Sequence, residues 1–202
     1  MSVGPGRLGR RMKAITDDDL ILMYREGDAE AFEALFARYH GPVYGFAKAL
    51  LGSRSAAEEV LQETFLAVAR TAKEYTPRGL FRPWLMRIVR NRCLNRIEAR
   101  RRRRAVLAGG AAGVVEAASD DPSPARQAEA NEQQAIVRAA IDELPLRQRE
   151  AIALYAFEQM TYREIGEVLE LPINTVKTLI HRARAALART LESLQRETSR
   201  GL

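Results

Sequence analysis

The stretch TYREIGEVLELPINTVKTLIHRAR, residues 161–184, holds two helix signals on either side of a tight turn. Thr161 followed three residues later by Glu164 is a capping box, in which each side chain satisfies a backbone N–H of the other. It opens a short helix with Ile165, Val168 and Leu169 on one face. Glu170-Leu171-Pro172 then forms the turn. Beyond it Val176, Ile180, Ala183, Leu187, Leu191 and Leu194 step by threes and fours, which is one apolar stripe along a long helix. Lys177, Thr178, His181, Arg182 and Arg184 fall away from that stripe. A short capped helix, a turn and a second helix with polar donors near its start are the parts of a helix-turn-helix. The major groove admits such a helix, where Arg and Lys donate to guanine N7 and O6 and Thr or Asn suit base edges or phosphates. The plain alternative is a solvated basic face. The coincidence of cap, turn and basic face favours DNA reading.

Outward from this motif the chain is all-α, with helical apolar spacing throughout and few strand signals. Ile136, Val137, Ala140, Ile141 and Leu144 form a stripe stopped by Pro145, and Ile152, Leu154 and Tyr155 mark the next helix. These define a C-terminal unit at 128–196. Residues 105–127 change texture to Gly-Gly, Ala-rich and Pro-Ser-Pro stretches, expected as a flexible linker. Before it, 14–104 reads as a four-helix unit. Its helices carry Leu20 and Met23; then Phe32, Leu35, Phe36 and Tyr39, with Val43, Phe46 and Leu50 after an interruption at Gly41-Pro42; then Val60, Leu61, Phe65 and Val68 after a capping box at Ser55 to Glu58; then Trp84, Leu85, Ile88 and Val89 after Pro83. The expected architecture is two small helical domains joined by a flexible linker.

Charge is segregated along the chain. The whole carries a net +6, but residues 16–77 hold eleven acids against six bases. Residues 78–104 hold eleven arginines and one acid, Glu98, and the chain from 174 onward is basic again. Such blocks imply a polyanionic partner for particular surfaces rather than general stickiness. Six phosphate contacts would cost roughly a thousandfold in affinity between about 50 and 200 mM salt. On the arginine-rich helix, Arg87, Arg90, Asn91, Asn95 and Arg96 lie away from the apolar positions, and Asn91 and Asn95 sit one turn apart on one face. Asn reads exposed base edges well. Tyr75 and Phe81 flank a loop holding Arg78 and Gly79, equipment for stacking an unstacked base, although Phe81, like Trp84, also suits a core.

The helix after Ser55 bears Glu58, Glu59, Gln62 and Glu63. The helix dipole accounts for carboxylates in its first turn, but not for Gln62 and Glu63 a turn later beside Phe65. An acidic-polar patch in a DNA-binding chain points to a protein partner.

Several classes are disfavoured. Cys93 is the one cysteine, and His40 and His181 stand far apart, so neither a disulfide nor a metal site is expected. No cofactor motif and no catalytic constellation is legible. No apolar run approaches the roughly 20 residues of a membrane span, and no export signal is visible, so a cytoplasmic location is expected. An autonomous helix-turn-helix regulator is the main alternative, yet no sensor constellation accompanies it. A carboxylate-based nuclease would need acids converging on the arginines, where Glu98 stands alone.

Several segments in order resemble the extracytoplasmic-function class of bacterial RNA polymerase sigma factors. They are AEEVLQETFL at 57–66, FRPWLMRIVRNR at 81–92, LPLRQRE at 144–150 and TVKTLIHRAR at 175–184. The resemblance covers about 16–104 and 128–194. It implies a non-enzymatic initiation factor that reads the −35 element as duplex and the −10 element as opened strand. It implies that Glu58, Glu59, Gln62, Glu63 and Phe65 hold the clamp helices of the polymerase largest subunit, with the C-terminal unit on the flap of the second-largest. Tyr75, Arg78, Phe81, Arg87, Arg90, Asn91, Asn95 and Arg96 become the expected −10 set. Arg163, Thr175, Lys177, Thr178, His181, Arg182 and Arg184 become the −35 set. An anti-sigma protein is a further expected partner. The chain departs from the family pattern at Asn95, where many members carry Asp, and at Glu170, where the turn often has Gly. The latter asks for a left-handed residue without glycine's freedom.

Overall fold

The computed structural model describes residues 15–108 and 137–200, and every regular element in them is helical. Helix α1 (Asp17–Arg25) is capped by Thr16, whose hydroxyl accepts from the Asp19 N–H, and its first turn carries three aspartates where the helix dipole favours them. Asp28 caps α2 (Ala29–Leu51) in the same way, accepting from Glu30 and Ala31. Gly52, at φ 69°, closes it in the left-handed conformation that ends many helices.

The expected interruption at Gly41-Pro42 does not occur: α2 runs straight through both. An interior proline costs about 3 kcal/mol. Val43, Phe46 and Leu50, on the turns that follow, are 0%, 0% and 3% exposed, and each buried side chain of this size returns roughly 1.5–3 kcal/mol. Burial wins. The capping box expected at Ser55 is also displaced. Ser53, extended at φ −110° and ψ 133°, is the true cap of α3 (Arg54–Thr71) and accepts from the Ala56 N–H. It follows directly on the Gly52 turn, so the helix begins two residues earlier and Arg54 pairs with Glu58 one turn on.

A 3-10 turn (Ala72–Glu74) leads to the loop before α4 (Phe81–Ala108). Helix α4 passes the expected boundary at 104 and runs to 108, because Ala105, Val106 and Leu107 propagate a helix and no glycine intervenes before Gly109. The rest of the expected linker, from 109, lies outside the described residues, as does Ile136. Residues 137–142 are helical, and α5 (Leu146–Ala156), α6 (Tyr162–Leu169) and α7 (Ile173–Arg200) follow.

Leu20, Leu35, Phe46, Val60, Leu85 and Val89 centre the N-terminal unit, and Leu154, Ile165, Val168, Val176 and Ile180 the C-terminal one. These residues of both units belong to one continuous cluster. The two helical units therefore pack directly on each other, α4 against α6 and α2 against α5. Two residues assigned to apolar stripes, Phe36 and Val137, are instead 41% exposed. Among the described residues, no helix is long and apolar enough to cross a membrane and no group of three metal-ligating side chains converges.

Candidate nucleic-acid interface

The capping box at Thr161 forms as the spacing requires: the Glu164 N–H donates to the Thr161 hydroxyl at 3.3 Å, and the Thr161 N–H donates to the Glu164 carboxylate at 2.8 Å. Helix α6 ends at Glu170, which takes φ 57° and ψ 46°, so a non-glycine residue does occupy the left-handed position. Gly166 makes the turn possible. A Cβ there would meet the Leu171 carbonyl oxygen at 2.9 Å, while the Leu171 N–H donates to the Gly166 carbonyl at 3.0 Å. Two close backbone segments leave no room for a side chain.

The turn delivers α7 with Val176, Ile180 and Ala183 buried, and with Leu187 and Leu191 half-buried; the Leu194 side chain lies outside the described residues. Asn174, Thr175, Lys177, Thr178, His181, Arg182 and Arg184 are all exposed, as is Arg163 on α6. The Thr178 hydroxyl donates to the Asn174 carbonyl at 2.9 Å, leaving its lone pairs outward. The Arg184 guanidinium lies 4.8 Å from the centre of the Tyr155 ring, which itself stacks on Tyr162. That cation–π seat holds Arg184 over the motif's own aromatics. Lys177, Thr178, His181 and Arg182 are thus the outward-facing group on the first turns of α7.

On α4 the expected set divides. Asn91 and Asn95 are exposed on one face, and Arg78 is exposed in the preceding loop. Tyr75 and Phe81 are 6% and 1% exposed and pack edge-to-face with each other and against Trp84, so in this arrangement both rings serve the core and neither is offered to a base. The loop between them is tethered through Asp18, whose carboxylate accepts from the Tyr75 hydroxyl at 2.7 Å and the Gly79 N–H at 2.6 Å. Asp17 likewise receives Tyr39 and Arg38. These two carboxylates explain the acids at the start of α1 better than capping alone.

Arg96 reaches the acidic helix, donating to Glu59 at 2.6 Å and Glu63 at 2.7 Å, and Arg92 donates to Glu63 at 3.2 Å. Glu58, Glu59 and Gln62 remain exposed on α3. Phe65 does not: it is 5% exposed, packed against Phe32 and Phe36, and the apolar side chain presented beside the acids is Leu66, 56% exposed. Periodicity places 65 and 66 almost equally near the helix boundary between core and solvent; only the neighbouring α2 rings separate them.

Arg87 and Arg90 turn toward the other unit. Arg90 Nε donates to Glu150 at 2.8 Å, with side chains 8% and 0% exposed, and Arg147 approaches the same carboxylate at 3.5 Å. Burial raises the Glu150 pKa above its ordinary value, opposed by the two arginines. Glu158, also buried, is raised by burial and opposed by Arg82. Arg87 donates to the Glu167 carbonyl at 2.7 Å and lies 3.5 Å from the Glu170 carboxylate. The sequence does not mark Glu150, inside α5, or Glu158, in the turn after it, as buried, since a buried acid is legible only once its basic neighbour is known.

Comparison with known proteins accords with this geometry. Residues 35–103 match the family model "Sigma-70 region 2" and residues 134–187 match "Sigma-70, region 4". The chain is 32% identical over 186 residues to the RNA polymerase sigma-H factor of Pseudomonas aeruginosa, covering 90% of this chain and 96% of that one. It is 30% identical to the ECF RNA polymerase sigma factor SigW of Bacillus subtilis, over 86% of this chain and 96% of the relative. Among solved structures, CnrH in complex with the cytosolic domain of CnrY superposes with a TM-score of 0.67 at 25% identity, covering 88% of this chain and 97% of that one. With region 2 on the acidic and arginine-rich helices and region 4 on the helix-turn-helix, the chain belongs to the extracytoplasmic-function (ECF) RNA polymerase sigma factors.

Proposed function

We propose that this chain binds core RNA polymerase and directs initiation at particular promoters, with α7 reading the −35 element as duplex and α4 holding the −10 element as opened strand. The observation that carries the reading is the outward group Lys177, Thr178, His181 and Arg182 on a correctly capped and turned helix-turn-helix. These side chains match the donors and acceptors of a major-groove edge. Asn91 and Asn95 on the exposed face of α4, beside Arg78, suit bases freed from the duplex. Polymerase docking is assigned to Glu58, Glu59, Gln62 and Glu63, with Leu66 as the apolar contact in place of the buried Phe65.

The factor supplies recognition and strand capture, and nucleotide addition belongs to polymerase. An anti-sigma partner and a cytoplasmic location complete the proposal. Reconstituted transcription is the test: core enzyme plus this chain initiates at discrete promoters. Strong duplex binding by the chain alone, with no initiation in the presence of core enzyme, would instead favour an autonomous regulator.

A further inference from the structure

The loop at 76–80, just before α4, is exposed at every residue. Among the described residues, no backbone–backbone hydrogen bond holds Thr76, Pro77, Arg78 or Gly79. Its shape therefore rests on tethers from elsewhere, and these come from α1. Asp18 clasps both ends with one carboxylate: Oδ1 accepts from the Tyr75 hydroxyl at 2.7 Å and Oδ2 from the Gly79 N–H at 2.6 Å. At the far end of α1, Arg25 Nη1 donates to the Tyr75 carbonyl at 3.3 Å. Gly79 supplies the bend, at φ 66°. The residues matched to region 2 begin at 35, so α1 precedes them.

We propose that Asp18 is a positioning residue for base selection in the opened −10 strand, fixing the loop so that its polar groups meet one base better than the others. The inference rests on the reading of α4 and this loop as the single-strand site. With the Tyr75 and Phe81 rings in the core, the loop offers backbone groups, the Thr76 hydroxyl and the Arg78 guanidinium in place of a stacking face. Stacking tolerates any base. Hydrogen bonding does not: a site built to bond one group strongly rejects analogues that lack it, provided its donors and acceptors are held to within about 0.5 Å. A loop with no backbone bonds of its own cannot hold them so, and Asp18 removes that freedom before the strand arrives. A carboxylate is required for this. Asparagine at 18 has one oxygen to accept and an amide nitrogen that only donates, so either the Tyr75 hydroxyl or the Gly79 N–H loses its acceptor.

The test loads the full chain onto core polymerase and supplies barcoded templates of a promoter that the unaltered chain uses, randomised through the −10 element. Sequencing the transcripts gives the base preference at each position, and their total gives overall activity. Asp18→Asn should flatten the preference at one −10 position at least about fivefold and leave the other positions in place. Tyr75→Phe, which removes one arm of the clasp, should flatten the same position by a smaller factor. Asp19→Asn is the control, because it removes an equal charge from the same turn of α1, where Asp19 bonds Thr16 instead of the loop. It should leave every preference unchanged. A purely structural role for Asp18 would lower transcription from all templates alike. That result, an Asp18→Asn preference equal to the parent's, or equal flattening by Asp19→Asn overturns the proposal. If Asp18→Asn loses its helical circular dichroism, Tyr75→Phe decides by the same reading. No transcript from the unaltered chain would remove the initiation reading and this inference with it, whereas active variants with unchanged preference remove the inference alone.

Discussion

Arg90 of α4 and Glu150 of α5, sixty residues apart in sequence, pair at 2.8 Å in a site that solvent scarcely reaches. Arg90 lies in region 2 and Glu150 in region 4. Two charges so placed are kept by one another, because removing one partner from a buried pair costs about 3–5 kcal/mol, whereas replacing both with apolar residues of similar volume is often neutral.

The double substitution Arg90→Met with Glu150→Leu is accordingly expected to stay as compact as the parent by small-angle scattering, while Glu150→Leu alone expands. Expansion of the double variant would show that hydrogen-bond geometry, and not charge compensation, holds the two units together.

The turn of the helix-turn-helix gives a pair of opposed expectations. Gly166→Ala must push the Leu171 carbonyl away from a 2.9 Å contact, so region 4 should lose about 1–3 kcal/mol in urea unfolding. Glu170→Gly relieves a left-handed φ of 57° and should gain up to about 1 kcal/mol. Equal stability for all three chains would mean the turn relaxes freely.

Duplex binding should report the role of α7. Lys177→Ala is expected to weaken binding across sequences and to lower the slope of log affinity against log salt by about one. Arg182→Ala, if it reads a base, should cost about 1–3 kcal/mol at one promoter position only. An unchanged salt slope in Lys177→Ala would place that side chain off the DNA.

Tyr39 and Tyr75 are held well above the ordinary tyrosine range, first by burial and then by their hydrogen bonds to Asp17 and Asp18. The folded state keeps these protons more tightly than the unfolded one. Their contribution to stability is therefore full below about pH 10 and falls as pH rises above it. In a spectrophotometric titration of the folded protein, two of the six tyrosines should fail to ionise near pH 10. They should appear on unfolding.

Burial also pushes the Cys93 thiol up to about 12. The thiolate is the reactive form, so the native protein should not react with a disulfide reagent at about pH 8, and one thiol should appear in denaturant. Rapid labelling of the native chain would show that the α4 core opens readily.

The sequence by itself determined the helical fold class, the helix-turn-helix with its Thr161 cap and Glu170 turn, and the outward set on α7. These are local matters: a capping box spans four residues, and an amphipathic stripe is a periodicity within one helix. It also marked α4 as basic and α3 as acidic. Only the tertiary structure decided that α2 continues through Pro42, because burial of Val43, Phe46 and Leu50 against other helices outweighs a local penalty. It likewise put Phe65 inside and Leu66 outside, and turned Tyr75 and Phe81 into the core. The arginines of α4 show the same division. Their charge is written in the sequence, but whether each meets solvent, Glu63 or Glu150 depends on a partner brought from another helix, and no one-dimensional pattern encodes that distance.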